Sequence, residues 1–255
     1  MKLEGRCAVV TGAGSGLGHA TAEILHKSGA NVVLIDASDE GLKTAVDRFG
    51  KRVVSIRADV CNADEVGEAI TLAKRLFGAV HIAVNCAGIA SSEKIVSRDE
   101  AHDLALWQRV INVNLTGTFN VTRLAAKQMI QNVPDEETGE RGVIVNTASI
   151  AGFEGQRGQA AYAASKAGVI GLTLPVARDL ADKAVRCVAI APGLFETSML
   201  GGIPEKGIEA LKRALLYPGR MGHPAEFGAL VRQIIETPYL NGSCLRLDGG
   251  ARLPA

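Results

Sequence analysis

The stretch QAAYAASKAGV, residues 159 to 169, sets a phenol and an ammonium four positions apart, Tyr162 and Lys166. On a helix that spacing puts both on one face. A phenol ordinarily loses its proton near pH 10, too high for a base at neutral pH; a cation beside it stabilises the phenolate and lowers that value. Such a pair is equipped to exchange a proton with a hydroxyl group. Tyrosine and lysine also meet at this spacing by composition alone, so the pair gains meaning only from the elements that position it.

Short apolar runs rich in Val and Ile recur along the chain: CAVVT, NVVLID, RVVSIRAD, HIAVNCAG, GVIVNTAS, RCVAIAPG and SCLRLDGG. Bounded by glycine or polar residues, they read as buried strands. Between them lie helix-length segments such as GLGHATAEILHKSG, ADEVGEAITLAKRLFG, WQRVINVNLTGTFNVTRLAAKQMIQ and YAASKAGVIGLTLPVARDLAD. That alternation predicts an α/β fold, a doubly wound parallel sheet with helices on both faces. At 255 residues and 47% hydrophobic, the chain suits a single domain over 1–255. Its cofactor half covers about 1–150 and its catalytic and substrate half about 151–255. Two segments break the rhythm. NVPDEETGERG, residues 132 to 142, reads as a solvated loop, and the long mixed stretch over 194–224 as a helical lid.

Lys and Arg number 28 against 27 Asp and Glu, so no basic excess marks a nucleic-acid or anionic-membrane partner. A small-molecule substrate is the expectation. The first strand follows the N-terminus almost at once, leaving no room for a signal or transit peptide, and no apolar run reaches bilayer length; a cytoplasmic protein is predicted. Cys7, Cys61, Cys86, Cys187 and Cys244 are far apart and read as buried reduced thiols. The histidines are equally scattered, so no metal site is predicted.

After the first strand comes TGAGSGLG, residues 11 to 18, leading into an apolar-periodic helix. Glycines there let the backbone approach a pyrophosphate, while the helix N-terminus offers N–H groups and partial positive charge. Strict G-x-G-x-x-G is absent, but the strand before, the helix after and an acid closing the next strand point to a dinucleotide site. Gly12, Ser15, Gly16, Leu17 and Gly18 are its candidate residues. The acid is Asp36, whose carboxylate can accept from both adenosine ribose hydroxyls and would repel a 2′-phosphate. With Ser15 and Ala37 where phosphate-reading cations would stand, NAD is predicted over NADP. Asp59 with Val60, and Asn85, Ala87 and Gly88, end the next two strands, where parallel sheets bind ligands. Asp59 is read either as an acceptor for the adenine amino group or as a helix N-cap for ADEVGEAI.

In this order and at these spacings, TGAGSGLG, DV at 59 and 60, NCAG, NVNLTG, NTAS, YAASK and PGLFET make the chain resemble the short-chain dehydrogenase/reductase family along essentially its whole length. Cys86 departs from the pattern, standing where the family usually has a second Asn, and a packing adjustment is expected. The resemblance implies a Rossmann fold and a catalytic set of Asn114, Ser149, Tyr162 and Lys166. Tyr162 would exchange the substrate proton, and Lys166 would lower its pKa and hold the nicotinamide ribose. Ser149 would hydrogen-bond the substrate oxygen, and Asn114 would hold a water that relays protons. Pro192, Gly193, Leu194 and Thr197 carry over as cofactor contacts, the first two also turning the chain. The implied reaction is hydride transfer between a secondary alcohol or ketone and nicotinamide.

Closer resemblance lies with the branch of that family that oxidises (S)-3-hydroxyacyl-CoA thioesters in fatty-acid or branched-chain amino-acid breakdown and that also acts on hydroxysteroids. It rests on NVPDEETGERGVIVNTAS, FEGQRGQAAYAASKAG, TLPVARDLA, IAPGLFET and NGSCLRLDGG. The insertion at 132–142 is expected to border the entrance for a large acyl carrier. Phe153, Gln156, Gln159, Leu194 and Leu200 join Ser149 and Tyr162 as candidate substrate contacts. Lys206, Lys212, Arg213 and Arg220 either meet CoA phosphates or form a solvated helix face. A homotetramer is implied, built through the helices over 107–129 and 162–180 and the final strand. Alternatives are an acetoacetyl-CoA or 3-oxoacyl-carrier-protein reductase, a hydroxysteroid or sugar-alcohol dehydrogenase and, in a different class, a catalytically silent NAD-binding interaction protein.

Overall fold

The computed structural model describes residues 1–47, 49–198 and 213–253. All seven apolar runs become strands: β1 (Cys7–Thr11), β2 (Asn31–Asp36), β3 (Val53–Arg57), β4 (Ile82–Asn85), β7 (Gly142–Thr147), β8 (Val185–Pro192) and β9 (Cys244–Leu247). Between β4 and β7 a two-residue-per-strand hairpin, β5 (Val96–Ser97) and β6 (Glu100–Ala101), stands apart. The main sheet has the order β3-β2-β1-β4-β7-β8-β9 with every pairing parallel.

Side-chain alternation along the strands divides the core in two. Ala8, Val10, Val32, Leu34, Val143 and Val145 face α1 (Gly16–Lys27) and α7 (Pro224–Glu236), which add Leu25, Phe227 and Ile234. Cys7, Val9, Val33, Ile35 and Ile144 face α3 (Ala63–Phe77) and α5 (Thr118–Met129), which add Val66, Ile70, Val121 and Met129. A strand apolar on both faces can exist only between two such layers, which is why these runs are continuous rather than alternating.

The stretch 107–129 is not one regular helix. It belongs to α4 (Leu104–Ile111), a π-helical turn (Asn112–Gly117) and α5 in succession. α6 (Ala160–Asp179) carries Tyr162 and Lys166. Contrary to the expectation that no apolar run reaches bilayer length, α6 is, at 20 residues, long and apolar enough by composition. It is nonetheless laid against the sheet, where Val169 joins Ala148, Ala189 and Ala191 in a buried cluster.

Helix starts are served differently. α2 (Asp39–Val46) is capped by Ser38, which accepts from Gly41 N. Asn62 caps α3, accepting from Asp64 N and Glu65 N, and Asp103 caps α4, accepting from Ala105 N. α1 has no side-chain cap and no acid in its first turn.

The insertion at 132–142 lies at the amino ends of the strands, away from where β7 finishes. Asp135 bonds Arg6 Nη2 at 2.6 Å just before β1, and Arg141 N donates to Ala184 O just before β8. Asn132 Nδ2 donates to Val80 O, near the start of β4. The expectation that this loop borders a carrier entrance is therefore overturned: ligands of parallel sheets sit at the carboxyl ends, a strand's length away. The thiols are not uniformly buried either; all five are free, and Cys61 is exposed.

Candidate active site

The chain leaves β1 outward to β3 and returns to β4, so the strand order reverses between β1 and β4, and a crevice opens at their carboxyl ends. A cleft of about 910 Å³ occupies it and extends over β7 and β8. Gly12, Ser15, Gly16, Leu17 and Gly18 form its floor. Gly12 has φ +63°, and a Cβ there would stand 2.8 Å from Ala87 N, so only glycine lets the turn pass beneath β4. Thr11 Oγ1 fixes that approach by accepting from Cys86 N and Ala87 N, both at 3.2 Å.

Asp36 reaches the cleft with each carboxylate oxygen already bonded once, Oδ2 to Gly14 N and Oδ1 to Ser38 N, both at 2.9 Å. A carboxylate offers about four acceptor positions, so two remain, the number that two ribose hydroxyls require. The nearest cation in register is Arg57, across from Asp36 on β3; it lies 3.9 Å from Asp39 and does not line the cleft. Together with the uncapped start of α1, these features fit a dinucleotide: open N–H donors for a pyrophosphate and an acceptor pair for a ribose. Asp59, Val60, Ala87 and Gly88 line the same region. The N-cap alternative for Asp59 fails, since Asn62 caps α3 while Asp59 Oδ1 accepts from Cys61 N at 2.9 Å. Asn85 is a second correction. It does not line the cleft; its buried amide donates to Asn146 Oδ1 and Thr122 Oγ1, inside the layer between β4 and β7.

On the opposite wall, Ser149 follows β7, its Oγ accepting from Ala151 N at 3.1 Å, and it hydrogen-bonds the half-buried Tyr162 hydroxyl. Burial pushes the Tyr162 phenol up from its ordinary value, with the Ser149 hydrogen bond pulling partly back. Lys166 Nζ donates to Thr147 O at 2.8 Å and stands 5.8 Å from the Tyr162 ring centroid. Burial brings the Lys166 ammonium down to about 8. The lowering of Tyr162 ascribed to Lys166 is not found in this arrangement; desolvation dominates, and Ser149 is the group that opposes it. Cys86 lies between them and the floor, its thiol accepting from Thr147 Oγ1 and pushed by burial up to about 11.

Asn114 is fully buried in the π-helical turn and does not line the cleft. Its Nδ2 donates to Ile89 O and Ser165 Oγ, and its Oδ1 accepts from Ile89 N. Both amide hydrogens being taken, its side chain ties the loop after β4 to the second turn of α6, where Ser165 Oγ in turn donates to Tyr162 O. Its place is that of a positioning residue.

Gln156, Gln159, Pro192, Gly193, Leu194 and Thr197 all line the cleft, as the sequence reading expected. Phe153 does not: its half-exposed ring lies 5.4 Å from the Arg246 guanidinium, outside. Residues 199–212 of the lid over 194–224, among them Leu200, Lys206 and Lys212, fall outside the described residues. Arg220 is occupied by Glu226, at 2.8 Å and 3.1 Å, which answers for it the choice between CoA and a helix face: it serves the start of α7. The cleft also takes in Ile89, Arg109 and Leu253, which the sequence reading missed.

This geometry belongs to a nicotinamide-dependent oxidoreductase, and the comparisons agree: the short chain dehydrogenase family model matches residues 6–207. The chain belongs to that family. Among its relatives, 3-hydroxyacyl-CoA dehydrogenase type-2 of Homo sapiens is 51% identical over 253 residues, covering 98% of this chain and 97% of the relative. A 3-oxoacyl-(acyl-carrier-protein) reductase of Thermotoga maritima is 38% identical, covering 98% of this chain and 99% of its own. The crystal structure of 3-hydroxyacyl-CoA dehydrogenase type-2 from Mycobacterium avium matches with a TM-score of 0.93 at 39% identity, covering 98% of this chain and 97% of that one.

Proposed function

We propose that this protein is an NAD-dependent dehydrogenase that converts (S)-3-hydroxyacyl-CoA thioesters to 3-oxoacyl-CoA in fatty-acid or branched-chain amino-acid breakdown. The observation that carries the reaction is the meeting of Ser149, Tyr162 and Lys166 on one wall of a cleft whose floor is the glycine turn and Asp36. Likeness to the human and mycobacterial proteins, by their names, supports the acyl-CoA substrate. The remaining acceptor capacity of Asp36 supports NAD over NADP, and with it the dehydrogenase over the carrier-protein reductase reading.

When bound, the nicotinamide supplies the hydride acceptor. Ser149 Oγ and Tyr162 Oη both hydrogen-bond the substrate oxygen, which fixes the carbinol. A phenol ordinarily keeps its proton at neutral pH, and burial holds the Tyr162 proton more firmly still, which suits it to protonate a ketone oxygen. Taking a proton from an alcohol needs positive charge near the phenol, and the Lys166 ammonium is the charge this chain brings.

A cytoplasmic homotetramer completes the proposal. The exposed Phe119 on α5 and Leu174 on α6 support association through those helices, and five free thiols support a reducing compartment. Light scattering and cell fractionation test these parts. The reaction is tested by NADH formation across 3-hydroxyacyl-CoA esters, hydroxysteroids and sugar alcohols, repeated with NADP. We expect NAD with CoA esters to give the highest kcat/KM; preference for a steroid or sugar alcohol would overturn the substrate assignment.

A further inference from the structure

The chain after β9 does not trail away from the sheet. Gly249 and Gly250, with φ of +60° and +77°, turn it back, and a Cβ on Gly250 would meet Leu216 Cδ1 at 3.0 Å. Ala251 is then fully buried, packed with Ile150 and Leu215 while Leu194 and Leu253 cover the cluster. Ile150 is the residue after Ser149, Leu194 opens the 194–224 stretch, and Leu215 lies within it. Leu253 itself lines the cleft, as do Ile150, Gln156 and Leu194.

Charge holds this returning segment in place. Glu154 Oε2 accepts from Leu253 N at 2.9 Å, and its Oε1 accepts from Arg246 Nη1 at 2.8 Å. Arg246 Nη2 donates to Ala251 O at 2.9 Å, and its Nε donates to Asp248 Oδ2 at 2.7 Å. Asp248 Oδ1 accepts from Gly250 N at 3.0 Å, and Phe153 stacks on the Arg246 guanidinium. Arg246 thereby uses the rigid fork that lysine lacks to grip β9's exit and the catalytic segment together. All of these bonds lead to one apolar side chain placed in the cleft.

We propose that Leu253 is a wall of the acyl pocket that sets the size of acyl chain accepted, and that Glu154, with Arg246, is the positioning residue that latches it there. The inference rests on reading the cleft as a thioester site, but it concerns a different part of it: NAD and the reacting carbon answer to Asp36, Ser149 and Tyr162, the far end of the acyl chain to Leu253.

The test measures kcat and KM of the full chain and of Leu253→Trp, Leu253→Ala and Glu154→Ala across 3-hydroxyacyl-CoA esters of increasing length, with NAD affinity and Tm alongside. Leu253→Trp should raise KM for the longest esters by about tenfold, the scale set by one misfitted group in an apolar pocket. KM for the shortest ester, and NAD affinity, should stay within about twofold. Leu253→Ala should shift the preference the other way, towards bulkier chains. Glu154→Ala should move the length profile without moving NAD affinity, and adding it to Leu253→Ala should change that profile no further, as expected for residues acting as one unit. A length profile unchanged in both Leu253 variants would overturn the wall. If Glu154→Ala does not fold, the Leu253 variants still decide. If the wild type turns over no CoA ester, the proposed function fails; the Leu253 series, run on size variants of whichever alcohol the panel reveals, then decides the wall separately.

Discussion

At the amino ends of the strands, Arg186 and Glu140 are both buried and bonded to each other, and Arg186 also donates to Leu240 O and Ile235 O. Beside them Asp135 holds Arg6, and His81 Nδ1 accepts from Cys7 N at 3.2 Å. At the carboxyl ends, α1 starts without a cap, Asp36 keeps acceptor positions open, and the buried Lys166 ammonium stands beside the half-buried Tyr162 phenol. One end spends its polar groups on itself; the other keeps them available. The difference separates groups that stabilise from groups that act, although both ends are buried and polar.

Tyr162→Phe is the sharpest way to break that comparison. Turnover should fall by about 10²–10⁴-fold, the range of a positioned acid–base group, while NAD affinity and Tm hold in a binding assay and a melt. Undiminished turnover would remove Tyr162 from the chemistry. At the opposite end, Glu140→Ala strands the buried Arg186 charge and should cost about 3–5 kcal/mol in denaturant unfolding, with kcat per folded molecule unchanged.

Lys166→Met asks whether the working end is paid for in stability. The folded-state pKa of Lys166, about 8, lies below the ordinary 10.5, so the unfolded chain binds its proton more tightly. The penalty is complete below pH 8 and fades as pH rises towards 10.5. The difference is worth up to about 3 kcal/mol. Lys166→Met should therefore melt higher than wild type at pH 7, with the gain shrinking by pH 10, while turnover is lost; a gain independent of pH would contradict the buried ammonium. Asp36→Ala should raise the ratio of NADP to NAD use by about tenfold, through loss of one charge-assisted acceptor. The smallest effect is expected from shortening residues 136–139, which should leave KM for CoA esters within experimental error.

That last prediction reverses what the sequence suggested, and the reason is general. Strand and helix periodicities are local, so the seven strands, the sheet class and the glycine turn were legible, as was the Tyr162 and Lys166 pairing on α6. The loop's place before β7 was legible too, but its extra length suggested room for a large carrier, whereas the end of the sheet it serves decides its role. Asn85 was read as a cofactor contact from its strand-end place, and Asn114 as a catalytic water-holder from the family resemblance; only tertiary contact showed Asn85 paired with Asn146 and Asn114 with Ile89. Leu253 was missed because its place depends on a turn made far from the catalytic segment in sequence.

The uncapped start of α1 has a further meaning. α2, α3 and α4 each carry a side-chain cap in their own sequence, whereas α1, at the floor of the cleft, carries none. A dinucleotide that bonds the N–H groups of its first turn, present at a hundred times its dissociation constant, would add about 2.7 kcal/mol to the folded state. Added dinucleotide should therefore slow proteolysis that proceeds through the unfolded chain, which digestion with and without NAD would read.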